Sequence, residues 1–443
     1  MQGEVTPEHQ QPVLRDLGDG LIVRRATPAD IEPIIALFVE VFGEQQVGAE
    51  VRHVMSGVSP IGRLDLFTLV EDTRTGKIVS AQCLLAKTCA YGGIPFPVGQ
   101  PEFVATHPAY RRRGLIRAQM EAVHAWSEAR GDLMQIIAGI PNYYRQFGYE
   151  MALDLDKMRI GFTSYVPKLK EGEPEPYRLR PATLDDVPLL VEIYTQAQQR
   201  YLVASLAGEA HWRAMLLRAE SGDPFRLSVR VIATLDGAPL GYVIHQSWLR
   251  GDHQVVVFGY ELIPGVSWLP VTYSVLRYLC AVGEEFAARE GKTFGTFNFQ
   301  LGVDHPVYAA VPDLLPRTLR AYAWYVRIPD IPGFVRHIAP VLERRLAGSL
   351  LVGYSGELKI SFYRDGLRLV FEQGRLATVD SWLPEPGNQG GVAFPGLTFL
   401  QALLGYRSLD ELEYAFPDCL HRSDEAQALI HALFPKQVSC LSM

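Results

Sequence analysis

The chain has 443 residues, of which 48% are hydrophobic and 21% charged, a composition that is ordinary for globular proteins and excludes a disordered or fibrous one. Its formal net charge of -7 argues against nucleic-acid binding, which depends on basic surfaces that meet phosphates. The cysteines form no C-x-x-C pair and have no histidine cluster beside them, so we expect no metal site and no disulfide framework.

The ends and the apolar stretches of the sequence bear on where the protein works. The N-terminus lacks the basic-then-apolar pattern of a signal peptide, and no apolar stretch is long enough to span a membrane. We therefore expect a cytoplasmic protein in a reducing compartment, with no membrane partner.

The first predicted elements follow a short irregular segment. Residues 1–20 combine Pro, Gly, Gln and acidic residues without a period, which predicts a flexible leader. Leu21–Arg25 reads as a strand, and Thr27 with Pro28 predicts the start of a helix that carries apolar residues at helical spacing as far as Phe42. A hairpin is then predicted around the turn at Asp72–Gly76.

The next elements complete a first domain. Phe103–Thr106 predicts a strand, a helix follows Gly114 to about Ala129, and Met134–Ala138 predicts another strand. Strands and helices in this order predict an α/β (α+β) fold for residues 21–165. Residues 43–65 are expected to be a loop that shapes a substrate pocket.

A second domain is predicted from an internal repeat. Tyr177–Asp186 repeats the pattern of Leu21–Asp30, namely a strand, an Arg, Ala-Thr and an acidic helix start. A repeat about 155 residues apart indicates a duplicated domain, which we assign to residues 177–322 after a charged linker. Residues 195–225 are expected to be a second pocket loop. Residues 323–443, with short strands followed by helices, predict a third, α+β domain.

The sharpest motif for chemistry is the segment Phe103–Arg117, where a strand leads into an Arg-rich turn that opens a helix. Such a turn directs unpaired backbone N–H groups and the positive end of the helix at one point, which suits a pyrophosphate. Gly114 permits close approach of a ligand to the backbone, and Arg side chains add bidentate contacts to phosphate oxygens.

These residues resemble the GNAT acetyltransferase signature R-x-x-G-x-G/A, in which Arg111 and Gly114 match and Ile116 replaces the last small residue. The resemblance implies that the turn holds the pyrophosphate of acetyl-CoA. It also implies that the preceding strand pairs with pantetheine. The implied cofactor-binding residues are Phe103, Val104, Ala105, Thr106, Arg111, Arg112, Arg113, Gly114, Leu115 and Ile116.

A second hallmark, Y-x-x-x-G-[FY], begins at Tyr144 and is similar to the GNAT segment beside the CoA sulfur. The resemblance implies that Tyr144 protonates the departing thiolate after an amine has attacked the thioester. We expect two of Tyr143, Tyr144 and Tyr149 to serve in aromatic core packing.

A GNAT domain, a degenerate second GNAT-like domain and a third domain similar to sterol carrier proteins together resemble the Eis (enhanced intracellular survival) acetyltransferase family. Members acetylate aminoglycosides and lysine side chains and assemble as hexamers, so the resemblance implies a homo-oligomer. The stretch Glu261–Trp268 of the second domain has no Arg, which indicates one CoA site per chain. The third domain is expected to close the acceptor pocket rather than to bind sterol.

The general base is left open among three groups. The Eis resemblance implies the C-terminal carboxylate, here that of Met443, although this tail lacks the aromatic end common in the family. The GNAT resemblance implies Glu102, whose pKa burial would raise. His107 is a third candidate and is expected to serve as a loop residue. Glu44 lies where the family often has an acidic residue facing the amine acceptor.

Together these features predict an acetyl-CoA-dependent N-acetyltransferase acting on a primary amine of an aminoglycoside, polyamine or lysine-like acceptor. An N-acyltransferase that uses another acyl-CoA is an alternative, since the same loop would bind the CoA pyrophosphate. The alternative from a different class is a ligand- or lipid-binding protein that uses the sterol carrier-like domain, with the GNAT domain as a CoA sensor. A sensor has no need of the acid Tyr144.

Overall fold

The computed structural model describes residues 13–155, 157–251, 253–319 and 322–441. The chain divides into two compact units. The first contains the chain up to Lys87 together with Pro97–Ile137, and the second contains Thr88–Phe96 and everything from Ala138 onward.

The strands of the first unit follow one another in a sheet of the order β1-β2-β3-β4-β5-β6, antiparallel from β1 to β4 and parallel between β5 and β6. The bounds are β1 (Val13–Gly18), β2 (Leu21–Arg25), β3 (Phe67–Asp72), β4 (Lys77–Tyr91), β5 (Ile94–Thr106) and β6 (Met134–Ile137). The ends of β4 and β5 around the turn at Gly92–Gly93 belong to the second unit.

Helices cover both faces of this sheet because both carry apolar side chains. The helices are α1 (Ile31–Phe42), α2 (Gln45–Met55) and α3 (Leu115–Arg130). On one face, α1 and α2 bury residues such as Phe38 and Val51 against β3 and β4. On the other, Leu115 and Ala118 of α3 pack against Leu21, Val23, Val70 and Val79. The sheet between them is therefore a rigid platform for the loop that opens α3.

The second unit holds most of the remaining elements. Its strands are β7 (Glu150–Asp154), β8 (Lys157–Phe162), β9 (Arg178–Pro181), β10 (Val203–Ser205), β11 (Leu227–Ala233), β12 (Pro239–Gln246), β13 (Gln254–Leu262), β14 (Thr296–Leu301), β15 (Arg317–Leu319), β16 (Ala323–Arg327), β17 (Gly356–Ser361), β18 (Gly366–Glu372), β19 (Arg375–Trp382), β20 (Val392–Ala393) and β21 (Leu420–His421). Its helices are α4 (Val187–Gln198), α5 (Glu209–Glu220), α6 (Trp268–Glu290), α7 (Pro306–Ala310), α8 (Ile331–His337), α9 (Ala339–Ala347), α10 (Phe399–Leu403), α11 (Leu409–Ala415) and α12 (Asp424–Leu433).

Two sheets organise these strands. One runs β15-β8-β14-β13-β12-β11-β9, with α4 and α5 packed on one face and α6 and α7 on the other. The other runs β19-β18-β17-β20-β21. In addition, β16 pairs with β7, and β10 pairs with Cys89–Tyr91 at the end of β4.

The end of the described chain is held as an extra extended segment, Val438–Leu441, which we call the C-terminal tail. Leu202 N–H donates to Val438 O at 2.8 Å, and Cys440 N–H donates to Val203 O at 2.9 Å. Ser205 Oγ donates to Leu441 O at 3.0 Å. The tail thus runs beside β10 with its backbone groups paired.

The internal repeat read from the sequence forms the same motif twice. Arg24 donates to both carboxylate oxygens of Asp30 at 2.7 and 2.8 Å, and Asp30 accepts from the backbone N–H of Thr27. In the second copy, Arg180 and Asp186 make the same pair at 2.7 Å. Both carboxylates complete capping boxes, so each repeat fixes the strand-to-helix turn in the same way.

The α/β (α+β) fold class predicted from the sequence is confirmed, whereas the predicted domain boundaries stay a prediction. The described part of the predicted leader differs from expectation, because Val13–Gly18 form β1 and pair with β2. The predicted pocket loops also contain helices, α2 in the first and α5 in the second. Among the described residues, no helix is long and apolar enough to cross a membrane.

Candidate active site

The candidate site in the first unit lies where the parallel strands β5 and β6 stop pairing, a point that we call the fork. The described pairing of β5 with β6 covers Val98 with Met134 and Gly99 with Gln135. Beyond this point β5 continues to Thr106, while β6 ends at Ile137. The side of β5 that faced β6 therefore has backbone groups with which an extended ligand can pair.

Glu102 lies just past the fork, where the backbone of β5 is irregular. Its Oε2 accepts a hydrogen bond from Gln100 Nε2 at 2.6 Å. Burial raises the pKa of the Glu102 carboxyl, while the Gln100 donor and the charge of Lys87 act in the opposite direction. The next residue, Phe103, has a φ of 53°, a left-handed conformation that costs a non-glycine residue about 1–3 kcal/mol. The left-handed residue therefore directly follows the carboxylate whose pKa is raised.

A buried polar network ties the end of β5 to β4 and α3. Ser80 Oγ lies 2.8 Å from Thr106 Oγ1 and 2.6 Å from Gln119 Oε1. Gln119 Nε2 in turn donates to Thr68 O at 3.0 Å. Ser80 and Gln119 are fully buried, so these hydrogen bonds fix the strand end relative to the helix that follows.

Two further contacts hold the base of the loop. His107 Nδ1 accepts the N–H of Ala109 at 3.2 Å, and its role as a loop residue or a base stays a prediction. Tyr110 Oη donates to Asp72 Oδ2 at 2.9 Å. The hydrogen bond from Arg74 keeps the pKa of the Asp72 carboxyl well below its usual range, so Asp72 is an ionised anchor for Tyr110.

The loop itself presents cationic and N–H groups to solvent. Arg111, Arg112, Arg113 and Gly114 are exposed. Arg112 and Gly114 both have positive φ values, 64° and 75°. The Arg113 guanidinium lies 5.0 Å from the centre of the Tyr110 ring. Because Gly114 has no side chain to cap α3, the first N–H groups of Leu115 and Ile116 remain available to an anion.

Tyr144 lies in the second unit, at the start of a short 3₁₀ helix, Tyr144–Phe147. It is buried, with ring centres of Tyr143, Tyr149 and Tyr325 between 5.1 and 6.3 Å away. Tyr149 is fully buried, and burial raises the pKa of its phenol, which suits a packing role. Gly139 allows the backbone to pack closely on this ring, because a Cβ there would meet Tyr144 Cε2 at 2.9 Å.

The other predicted site residues differ in their position and burial. Val104 and Thr106 are partly buried and Ala105 is buried on β5. Glu44 is exposed at the start of α2, where its carboxylate accepts a hydrogen bond from the Gln46 side chain. Met443 lies outside the described residues.

Sequence reasoning missed the residues that support the site. Ser80 and Gln119 bond to each other, and Gln82 lies on the same face of β4 as Ser80. Gln82 is fully buried, and its side-chain amide has no hydrogen-bond partner among the described residues. A buried amide of this kind requires a hydrogen bond from water or from a ligand. The signal in the sequence was a pair of polar residues two positions apart, Ser80 and Gln82, within an apolar part of the strand.

Comparison with known proteins gives one sequence family and several solved structures that resemble this chain. Residues 22–152 match the sequence family described as an acetyltransferase (GNAT) domain. No curated protein sequence matches the chain. The protein is similar in structure to a GCN5-related N-acetyltransferase from Anabaena variabilis, with a TM-score of 0.64 and 15% identity over 95% of this chain and 99% of that one.

Two other solved structures are informative. Eis1 from Mycobacterium abscessus has a TM-score of 0.57 and 16% identity over 94% of this chain and 98% of that one. N-myristoyltransferase from Saccharomyces cerevisiae, solved with bound myristoyl-CoA, has a TM-score of 0.51 and 13% identity over 72% of this chain and 85% of that one. At these identities the likeness concerns the fold.

Proposed function

We propose that the protein is an N-acyltransferase that transfers the acetyl group of acetyl-CoA to a primary amine. The observation that carries the proposal is the arrangement within the first unit, where the strand fork, Glu102 and the Arg111–Gly114 loop all lie along β5 and the start of α3. The match of residues 22–152 to an acetyltransferase (GNAT) domain supports an acyl-CoA as the donor.

In this proposal the loop and the start of α3 bind the pyrophosphate, and the backbone of Val104–Thr106 on the side away from β4 pairs with the amides of pantetheine. The ammonium group of the acceptor gives a proton to Glu102, directly or through water. The neutral amine attacks the thioester carbonyl and forms a tetrahedral intermediate. As the C–S bond breaks and the carbonyl re-forms, Tyr144 protonates the CoA thiolate, and the nitrogen gives its surplus proton to the Tyr144 phenolate, directly or through water. Glu102 then releases its proton to solvent.

The raised pKa of the Glu102 carboxyl supports its role as base, because a carboxylate with a pKa closer to neutral is a stronger base. The carboxylate of Met443 is the competing base. For the acceptor, the exposed carboxylate of Glu44 is a candidate partner of a cationic amine. Assembly as a homo-oligomer, a hexamer by family resemblance, and a sterol carrier-like third domain belong to the same proposal.

The test is thiol release from acetyl-CoA by the purified protein, across aminoglycosides, polyamines and lysine peptides. We expect release that depends on an amine and a loss of kcat in Tyr144→Phe with unchanged affinity for CoA. If the protein binds CoA but releases no thiol with any amine, the result contradicts the enzyme proposal and favours a CoA sensor. If Tyr144→Phe leaves kcat unchanged, Tyr144 is not the general acid.

A longer acyl donor is the second candidate, and the similarity to a structure holding myristoyl-CoA favours testing it. The same assay compares acetyl-, octanoyl- and myristoyl-CoA at equal concentration. Preference for acetyl-CoA in kcat/KM supports the first candidate, and preference for a longer chain supports the second.

A further inference from the structure

The second unit contains a cavity of about 460 Å³ that the proposed acyl transfer does not use. It lies between the turn at Gly92–Gly93, the end of α4 with the segment that leads into β10, and α9. Its volume falls in the range of small-molecule sites. Leu202, Leu206 and Val341 provide an apolar part of its wall.

The charge of this cavity has one sign. Arg200, Arg344 and Arg345 line it, and none of the described residues that line it is Asp or Glu. Arg200 is paired with Glu261 at 2.5 Å, outside the cavity wall. The described hydrogen bonds of Arg344 and Arg345 go to uncharged oxygens. Within the described part of the chain, two guanidinium groups therefore line the cavity without a carboxylate to balance their charge.

These two arginines are also held in place. Arg345 donates to Leu433 O at 2.7 Å and to Tyr91 Oη at 3.1 Å, and Arg344 donates to Gly92 O at 3.0 Å. A Cβ at Gly92 would meet Val341 at 2.9 Å, so the turn lies directly against α9. A guanidinium fixed in this way loses little entropy when it binds an anion.

A buried acceptor completes the lining. Gln198 is 8% exposed, and its Oε1 has no hydrogen-bond partner among the described residues. An unpaired buried acceptor requires a donor, and because an ionised carboxylate has none, a water molecule bound beside the anion would supply it.

We propose that this cavity is a binding site for a small organic anion. The carboxylate or phosphate of the ligand bonds to Arg344 and Arg345, and its apolar body lies along Leu202, Leu206 and Val341. The site is separate from the CoA loop, so it would be found whether or not the protein transfers an acyl group.

The experiment is isothermal titration of the full chain with octanoate and with octyl phosphate, which share an anionic head and an apolar body. Octyltrimethylammonium is the cationic comparison. Three variants accompany the native protein. Arg344→Gln removes one guanidinium, and Thr195→Glu adds a carboxylate at an exposed position of the lining. Arg422→Gln is the matched control, because Arg422 is an arginine that donates to the backbone carbonyl of Gln389 away from the cavity.

We expect one molecule of octanoate or octyl phosphate to bind per chain, with affinity about tenfold weaker in Arg344→Gln and Thr195→Glu. Arg422→Gln should bind as the native protein does. Binding of one probe alone identifies the head group as carboxylate or phosphate. The proposal is overturned if neither anion binds, if the cation binds equally well, or if all variants bind alike. Thr195→Glu alters an exposed helix position, so its result stands even if Arg344→Gln is unstable.

Discussion

At the scale of single residues, Glu102 precedes Phe103, whose backbone is strained, and burial raises the pKa of the Glu102 carboxyl. A base acts in its ionised form, so we expect kcat/KM to increase with pH through a pKa above that of an ordinary Glu. Glu102→Gln should lower kcat by roughly 10²–10⁴-fold and remove this limb of the pH profile. The affinity for CoA should stay the same.

The control for Glu102 is Glu40→Gln, which alters an exposed carboxylate of the same unit, 3.4 Å from His107 Nε2. It should retain both the rate and the pH limb. A pH limb that survives Glu102→Gln but disappears in Glu40→Gln would transfer the role of base to His107.

Asp154 leads to a prediction on stability. Burial raises the pKa of its carboxyl to about 6, Asp304 acts in the same direction, and Ser439 N–H and Lys436 oppose it. The folded state thus holds this proton more tightly than the unfolded chain does. The free energy of unfolding should therefore decrease as pH rises from about 4 to 6, by at most about 3 kcal/mol from this group.

Asp154→Asn removes this titration. Denaturant unfolding should show the variant to be more stable than the native protein at pH 7 and close to it at pH 4. Asp185→Asn, at an exposed aspartate of the same unit, should leave the pH dependence unchanged. Equal stability of Asp154→Asn and the native protein at both pH values would contradict the assignment.

At the scale of elements, the start of α3 is the part of the fold that meets phosphate. Gly114→Asp places a carboxylate where the pyrophosphate is proposed to bind. Gly114 has a φ of 75°, and Asp tolerates this left-handed conformation better than most residues do. We expect at least about tenfold weaker binding of acetyl-CoA, measured by calorimetry, with the protein still folded.

Gly76→Asp is the matched control for the α3 loop. Gly76 also has a positive φ, 66°, and a Cβ at either glycine would meet no atom within 4 Å. The backbone cost of the two substitutions is therefore similar, and only the charge at the loop differs. A similar loss of affinity in both variants would show that the effect is not specific to the loop.

At the scale of the whole molecule, the C-terminal tail connects the end of the chain to β10. A chain shortened to end at Leu441 keeps the described hydrogen bonds of the tail, whereas one that ends at Gln437 loses them. We expect the first to melt as the native protein does and the second to be destabilised by about 1 kcal/mol for each lost hydrogen bond.

The chain that ends at Leu441 also separates the two candidate bases. If Glu102 is the base, this chain retains its activity in thiol release. If the carboxylate of Met443 is the base, activity falls although the melting temperature does not change.

The sequence by itself determined the elements whose signals are local. The capping boxes at Thr27 and Thr183, the turn at Asp72–Gly76 and the opening of α3 after Gly114 depend on residues within a few positions of one another. It did not predict β1, an edge strand of mostly exposed residues, because its stability comes from pairing with β2 rather than from alternating burial. Nor did it predict α2, in which Gly48 and three Val residues have low helix propensity.

Only the tertiary structure decided which distant residues share an environment. The raised pKa of Glu102 follows from burial beside β4, and the bond between Ser80 and Gln119 joins residues that lie on different elements. The cavity of the second unit brings Arg344 beside Gly92, although 252 positions separate them in the chain. Burial and long-range pairing depend on how sheets and helices pack, and no local pattern of residues encodes that packing.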